Sequence, residues 1–147
     1  MADVTVQHPV IPAMDEAAID NVRQLTAAMA ELPQVPIRTE HILHAGLYAR
    51  TVFVPAGVII TGVLIKIPTL LIVQGEALVY IGGASVRLEG YNVVPAAAGR
   101  RQVFVAESDL RLTMLFASDA ASVDQAERQF TDEFEQLVSR KEPTCQA

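Results

Sequence analysis

The run PAGVIITGVLIKIPTLLIVQGE, Pro55 to Glu76, decides how this chain is read, because it is apolar almost throughout and holds a single lysine, Lys66. A membrane-spanning helix needs about 20 consecutive apolar residues. This run is interrupted at Gly57, Gly62, Lys66, Pro68, Gln74 and Gly75, which is the spacing of turns between strands. Taken as strand, it puts Ile59, Thr61, Val63, Ile65 and Ile67 on one face and Val58, Ile60, Gly62, Leu64 and Lys66 on the other. Both faces are largely apolar, so the strand needs cover on its outside, from a helix of the same chain or from another subunit.

The same pattern of short strands continues outward. Strands are expected near 42–54, 58–67, 69–74, 77–81, 85–89, 91–94, 102–106 and 110–116, separated by the turn sequences PAG, QGE, GGA, EGY, AAAGRR and AESD. Strands this short and this regularly spaced indicate a sandwich or barrel. Alternation agrees, since Leu110, Leu112, Met114 and Phe116 share one face while Arg111 and Thr113 take the other.

Two helices flank this centre. DEAAIDNVRQLTAAMAEL, from Asp15, spaces Ile19, Val22, Leu25, Met29 and Leu32 along one face, with acids in its first turn and Pro33 as its stop. SVDQAERQFTDEFEQLVSR, from Ser122, opens with a capping-box pair, Ser122 and Gln125, and carries a stripe of Val123, Ala126, Phe130, Phe134, Leu137 and Val138. Before the first helix, Met1 to Met14 alternate apolar and polar residues around Pro9 and Pro12, as an extended arm does. PQVPIRTE, Pro33 to Glu40, reads as a linker. The expected organisation is one mainly β domain: arm and helix in 1–36, a β-barrel in 37–118, and a helix with its tail in 119–147.

The chain's 147 residues, 51% hydrophobic and 19% charged, suit a single core. A net charge of −6 disfavours nucleic acid and anionic membrane surfaces as partners. The only cysteine, Cys145, precludes an internal disulfide and a thiolate metal cage, and fits a reducing compartment. MADVTVQHPVIPAMDE lacks the basic leader and apolar run of a secretory signal, so the expected site of synthesis and residence is the cytoplasm.

The succession PAG, strand, QGE, strand, EGYNVVPAAAG, strand resembles the cupin superfamily of small jelly-roll barrels across roughly Leu47 to Phe116. The resemblance implies a His-x-His pair, a carboxylate and a third histidine as metal ligands. Counted from Gly57, the paired positions fall on Val63 and Ile65, the carboxylate near Pro68 or Thr69, and the third histidine on Gln102. None is a ligand of the expected kind, and a metal needs several N or O donors converging on one point. HAGLYARTVFVPAG, KIPT, GYNVVPAAAGRRQ and AERQFTDEFEQLVSR resemble, more narrowly, small cupin-like proteins of phages and prophages. That resemblance implies no cofactor and no catalytic residue, with a place in a virion made in the host cytoplasm.

Other polar candidates are few. Glu40, His41 and His44 have ligand chemistry, but residues three apart on a strand face opposite sides. Arg100 and Arg101 form the densest basic feature and read as a solvated turn or as an intersubunit contact to carboxylates. Lys66 reads as a snorkelling strand-end residue, and Tyr48, Tyr80 and Tyr91 as packing residues with polar tips. No Gly-x-Ser-x-Gly elbow and no phosphate-binding glycine loop occurs.

Three functions fit these residues. The first is a non-enzymatic assembly protein, such as a capsid decoration protein, that self-associates and contacts a capsid or other virion protein through Val4, Val6, Val10, Ile11, Arg100 and Arg101. The second is a small-ligand module using an apolar interior lined by Val63, Ile65, Val79 and Phe104. The third is a cupin enzyme with its metal moved to Glu40, His41 and His44.

Overall fold

The computed structural model describes residues 9–137. Val4 and Val6 of the arm, and Val138 to Ala147 of the tail, lie outside them. The elements in chain order are α1 (Glu16–Met29), β1 (Arg38–His44), β2 (Leu47–Val54), β3 (Ile59–Thr61), β4 (Thr69–Gln74), β5 (Ala77–Tyr80), β6 (Ser85–Leu88), β7 (Tyr91–Ala96), β8 (Val103–Ala106), β9 (Leu110–Ala117) and α2 (Val123–Phe130). A single 3-10 turn, Phe134–Gln136, follows α2.

The strands form two antiparallel sheets, ordered β1-β2-β9-β4-β7 and β3-β8-β5-β6. Because the chain crosses between the sheets, strands distant in sequence pair within each one, as β2 with β9 and β5 with β8, which is jelly-roll topology. The core lies between the sheets. Strand β9 alternates as its residues require, with Leu110, Leu112, Met114 and Phe116 buried inside the sandwich. Gly75 closes the β4–β5 turn at φ +121°, where a Cβ would stand 2.6 Å from the Asp109 carbonyl oxygen, so only glycine fits.

Three strand expectations are corrected. The run read as one strand over 42–54 is a β1–β2 hairpin that begins at Arg38, inside the expected linker. Its two-residue turn places Ala45 at φ 53° and Gly46 at φ 72°, and alanine there hides the usual Asn-Gly signal. The run 58–67 leaves the sheet after Thr61. Leu64 N–H donates to the Glu133 carboxylate at 2.7 Å and Lys66 N–H to the Phe130 carbonyl at 2.9 Å, while Gly62 and Ile65 N–H stay bonded to the Gln102 and Arg100 carbonyls, so the C-terminal segment takes the groups on one side only. The inward face also changes phase at Gly62. Val58 and Ile60 pack on the core before it, and Val63, Ile65 and Ile67 after it. This phase change, rather than cover on both sides, explains most of the apolar character of both expected faces.

Both helices are shorter than their stripes suggest. Asp15 caps α1 by accepting from Ala18 N–H at 2.8 Å. Its buried side chains are Ala18 and Val22, packed with Met14 and Val103 on the outside of the four-stranded sheet, while Leu25 and Leu32 are exposed. The helix is thus the cover that sheet needs, over part of its face. Ser122 caps α2 as expected, accepting from Gln125 N–H, and the Gln125 side chain accepts from Ala121 N–H at 2.8 Å. The helix then stops at Thr131, whose extended backbone (φ −151°, ψ 147°) lets its hydroxyl donate to the Leu64 carbonyl at 2.7 Å. That bond draws the segment across the open end of the sandwich instead of onward as helix.

The arm folds back on its own chain. Ile11 N–H donates to the Pro95 carbonyl and Ala97 N–H to the Ile11 carbonyl, both at 2.9 Å, which makes a parallel bridge beside β7. Ile11 is buried, whereas Val10 is 60% exposed. Ile11 is therefore a core residue, and the expectation that it meets a neighbouring subunit is corrected.

Candidate functional site: an interior cavity bordered by buried guanidinium groups

Between the sheets lies a cavity of about 130 Å³. Its walls are Val52 and Leu112 with Met114 from the larger sheet, Ile60, Val63, Ile65 and Phe104 from the smaller side, and Phe130 and Leu137 from the C-terminal segment. Val63, Ile65 and Phe104 were expected to line an interior, and they do. Val79 belongs to the core but not to this cavity.

Polar groups enter the wall at four places: Arg50, Arg100, Gln102 and Gln136, apart from the hydroxyl of Thr61. Arg50, on β2, is buried and meets the buried Glu127 of α2 at 3.2 Å. Tyr48, one pair of residues back on the same face, is fully buried and hydrogen-bonds Arg50 as well as His41 Nδ1, the latter at 2.7 Å. Burial pushes the Tyr48 phenol above its usual range, partly offset by the Arg50 charge. Burial, aided by Arg50, holds His41 below the usual imidazole value, so it sits neutral at pH 7.

Arg100 is the other cation of the wall. It is 2% exposed and donates Nη1–H to the Ala97 carbonyl (2.7 Å), Nη2–H to Thr69 Oγ1 (2.6 Å) and Nε–H to Gln102 Oε1 (3.3 Å). All three acceptors are neutral, and among the described residues no carboxylate pairs with it. Burial lowers its pKa to about 10, which leaves it charged at pH 7. Gln102 is held with its oxygen toward Arg100, so its Nε2 amide is turned away, and that buried nitrogen has no hydrogen-bond partner among the described residues.

The expectation of a solvated or intersubunit arginine pair is therefore corrected at both positions. Arg101 is 3% exposed and grips Glu133 through Nη1 at 2.8 and 3.0 Å, pinning the segment after α2. Gly99 turns the chain at φ +80° just before the two arginines, which are buried on different sides, Arg100 at the cavity wall and Arg101 against Glu133. Sequence spacing carried no sign of this, since paired arginines after a glycine are usually surface residues. The Arg50–Glu127 pair was not anticipated at all; its signal was a charge at an inward position of each element, Arg50 in β2 and Glu127 in the stripe of α2.

The remaining candidates separate as their positions require. His41 is half-buried and His44 exposed, on opposite faces of β1, and Glu40 faces outward. Among the described residues no group of three His, Cys, Asp or Glu side chains comes together. Lys66 is 41% exposed in its side chain and meets Asp132 at 2.6 Å, a surface ion pair. Tyr91 is exposed on the outer sheet face. No helix among the described residues is long and apolar enough to cross a membrane.

A metal does not fit the cavity wall. Two guanidinium groups border it, no carboxylate lines it among the described residues, and the walls at Val63 and Ile65 are hydrocarbon, so a divalent cation would meet like charge and too few donors.

No protein-family model matches the chain, and no curated protein matches it. Solved structures do. A salicylate 1,2-dioxygenase from Pseudaminobacter salicylatoxidans aligns with a TM-score of 0.51 at 15% identity, over 79% of this chain and 35% of that one. The plu4264 protein from Photorhabdus luminescens aligns with a TM-score of 0.50 at 11% identity, over 65% of this chain and 86% of that one. A cupin 2 conserved barrel domain protein from Salinispora arenicola gives 0.49 at 22% identity, over 67% and 91%. Identities this low speak to architecture alone: what the chain shares with these proteins is the jelly-roll arrangement of two opposed antiparallel sheets.

Proposed function

We propose that this chain is a small-ligand-binding module that uses the interior of a cupin-type jelly roll without a metal. The observation that carries the reading is the buried amide of Gln102, a residue that lines a largely apolar cavity and whose Nε2 has no hydrogen-bond partner among the described residues. A buried donor left unpaired costs about 1–3 kcal/mol, a cost that an acceptor on a bound molecule removes. Counted along the sequence pattern that resembles cupins, Val63, Ile65 and Gln102 take the positions where metal ligands are expected, and all three line the same cavity. Hydrocarbon and amide at those places suit the binding of a molecule with an apolar body rather than of a metal ion.

A cavity near 150 Å³ with apolar walls is large enough to take up benzene, so this one admits a body of similar size. The test is thermal unfolding with and without benzene, after incubation with zinc, manganese or iron(II) and dialysis. The expected result is a midpoint rise with benzene, its loss in Leu112→Phe, which fills the cavity, and less than about one metal ion per ten chains. Stoichiometric metal, or no response to benzene, contradicts the reading.

A second reading, assembly through protein contacts, has support in the outer face of the larger sheet. Strand register aligns Ile42, Ala49, Leu115, Leu70 and Pro95 in one row across β1, β2, β9, β4 and β7, with Ile42 61% and Leu70 40% exposed. A row of this kind suits a second copy of the chain. The virion role and the capsid partner rest on the resemblance to phage proteins. Light scattering is expected to give a dimer or larger species that Leu70→Glu converts to monomer; a monomeric wild-type protein removes this support.

A further inference from the structure

Resting on the ligand-binding reading, we infer that the ligand is a short monocarboxylate, with its apolar body between Val63, Ile65 and Leu112 and its carboxylate on Arg100 and the amide of Gln102. The argument is one of charge. Two cations border the cavity, and Arg50 is neutralised by Glu127 at 3.2 Å. Arg100 is not: its three partners are a carbonyl, a hydroxyl and an amide oxygen, all neutral. A guanidinium has five N–H donors, so two remain on the terminal nitrogens after these bonds.

A buried cation without a counter-charge is costly, and an ion pair recovers that cost only when geometry and hydrogen bonding are good. Arg100 is held on three sides, so its planar group is oriented before any ligand arrives. The same contacts fix Gln102, because its oxygen faces Arg100 and its unpartnered amide must then point elsewhere. One unneutralised positive charge calls for a monoanion. A phosphate dianion would bring a second charge into walls that are largely hydrocarbon.

There is a structural logic to the placement. Thr69 and Gln102 hold Arg100; counted along the pattern that resembles cupins, the carboxylate falls near Pro68 or Thr69 and the third histidine on Gln102. The cationic centre is thus supplied by a side chain from the loop after Gly99 instead of by an ion.

Calorimetric titration of the full chain at neutral pH with isovalerate, isovaleramide and 3-methyl-1-butanol separates the possibilities. These probes share one apolar body and differ in the head. The expected result is saturable binding of isovalerate with a Kd of roughly 0.1–1 mM, as the size of such a ligand permits, and about tenfold weaker binding of the amide and the alcohol. Arg100→Gln should erase the difference between acid and amide; the comparison within the wild-type protein stands even if that variant folds poorly. Equal or tighter binding of the neutral probes overturns the assignment of charge while leaving the cavity as a binding site. No binding by any of the three overturns both.

Discussion

Glu127→Ala is expected to destabilise the fold by about 3–5 kcal/mol, because it removes the buried carboxylate that the buried Arg50 meets at 3.2 Å. Both side chains are under 10% exposed, so solvent does little to screen the pair or to replace the lost partner. The pair also joins elements far apart in sequence, β2 and α2, and its removal loosens the helix that walls the cavity. The check is chemical denaturation of wild type, Glu127→Ala and the double variant Arg50→Met/Glu127→Leu. The double variant should recover most of the loss, since replacing both charges by apolar groups removes the desolvation cost together with the attraction. A single variant within about 1 kcal/mol of wild type would mean that Arg50 finds water or another acceptor, and that the interior is wetter than described.

Phe130→Ala is expected to cost about 3–5 kcal/mol for similar reasons of burial but with a different functional consequence. The ring is 1% exposed, stacks on Tyr48 with centroids 6.3 Å apart, and meets Phe116 edge-on at 6.0 Å. It also forms part of the cavity wall, so its truncation joins the space it leaves to the cavity already present. The variant should therefore take up a larger apolar probe, such as naphthalene, which wild type excludes, and regain part of its thermal midpoint when that probe is bound. Loss of stability without gain of the larger probe would place Phe130 in a core separate from the cavity.

How far the residues announce all this differs from element to element. Strand β9 is legible because strict alternation of Leu110, Leu112, Met114 and Phe116 reports a sheet with one buried face. The Asp15 and Ser122 caps are legible for a local reason, since a cap needs only its own few neighbours. Periodicity fails where the chain departs from a regular element to meet a distant partner. The 58–67 run reads as one strand, yet Gly62 resets its phase and residues 130–133 take the hydrogen bonds of Leu64 and Lys66. The second helix reads as continuous to residue 140, yet Thr131 ends it for a bond to Leu64, a partner 67 positions away.

The site divides along the same line. Val63, Ile65 and Phe104 are legible as interior because apolar residues in strands usually are. Arg100 and Arg101 mislead, because buried guanidinium groups are rare and depend on acceptors from elsewhere in the fold: Thr69 and Ala97 for one, Glu133 for the other. Pairing of Arg50 with Glu127 is likewise a property of the tertiary arrangement, which no spacing in the chain encodes.

The most direct test of the central claim is the side-chain amide signal of Gln102 in a nitrogen-correlated NMR spectrum, recorded while isovalerate is added. Binding within the cavity predicts a saturable shift of that signal, together with the methyl signals of Val63, Ile65 and Leu112, while His44 and Tyr91 on the outside stay still. A Gln102 amide that does not move at saturating probe, or shifts confined to the outer sheet face around Leu70 and Ile42, would contradict an interior binding site.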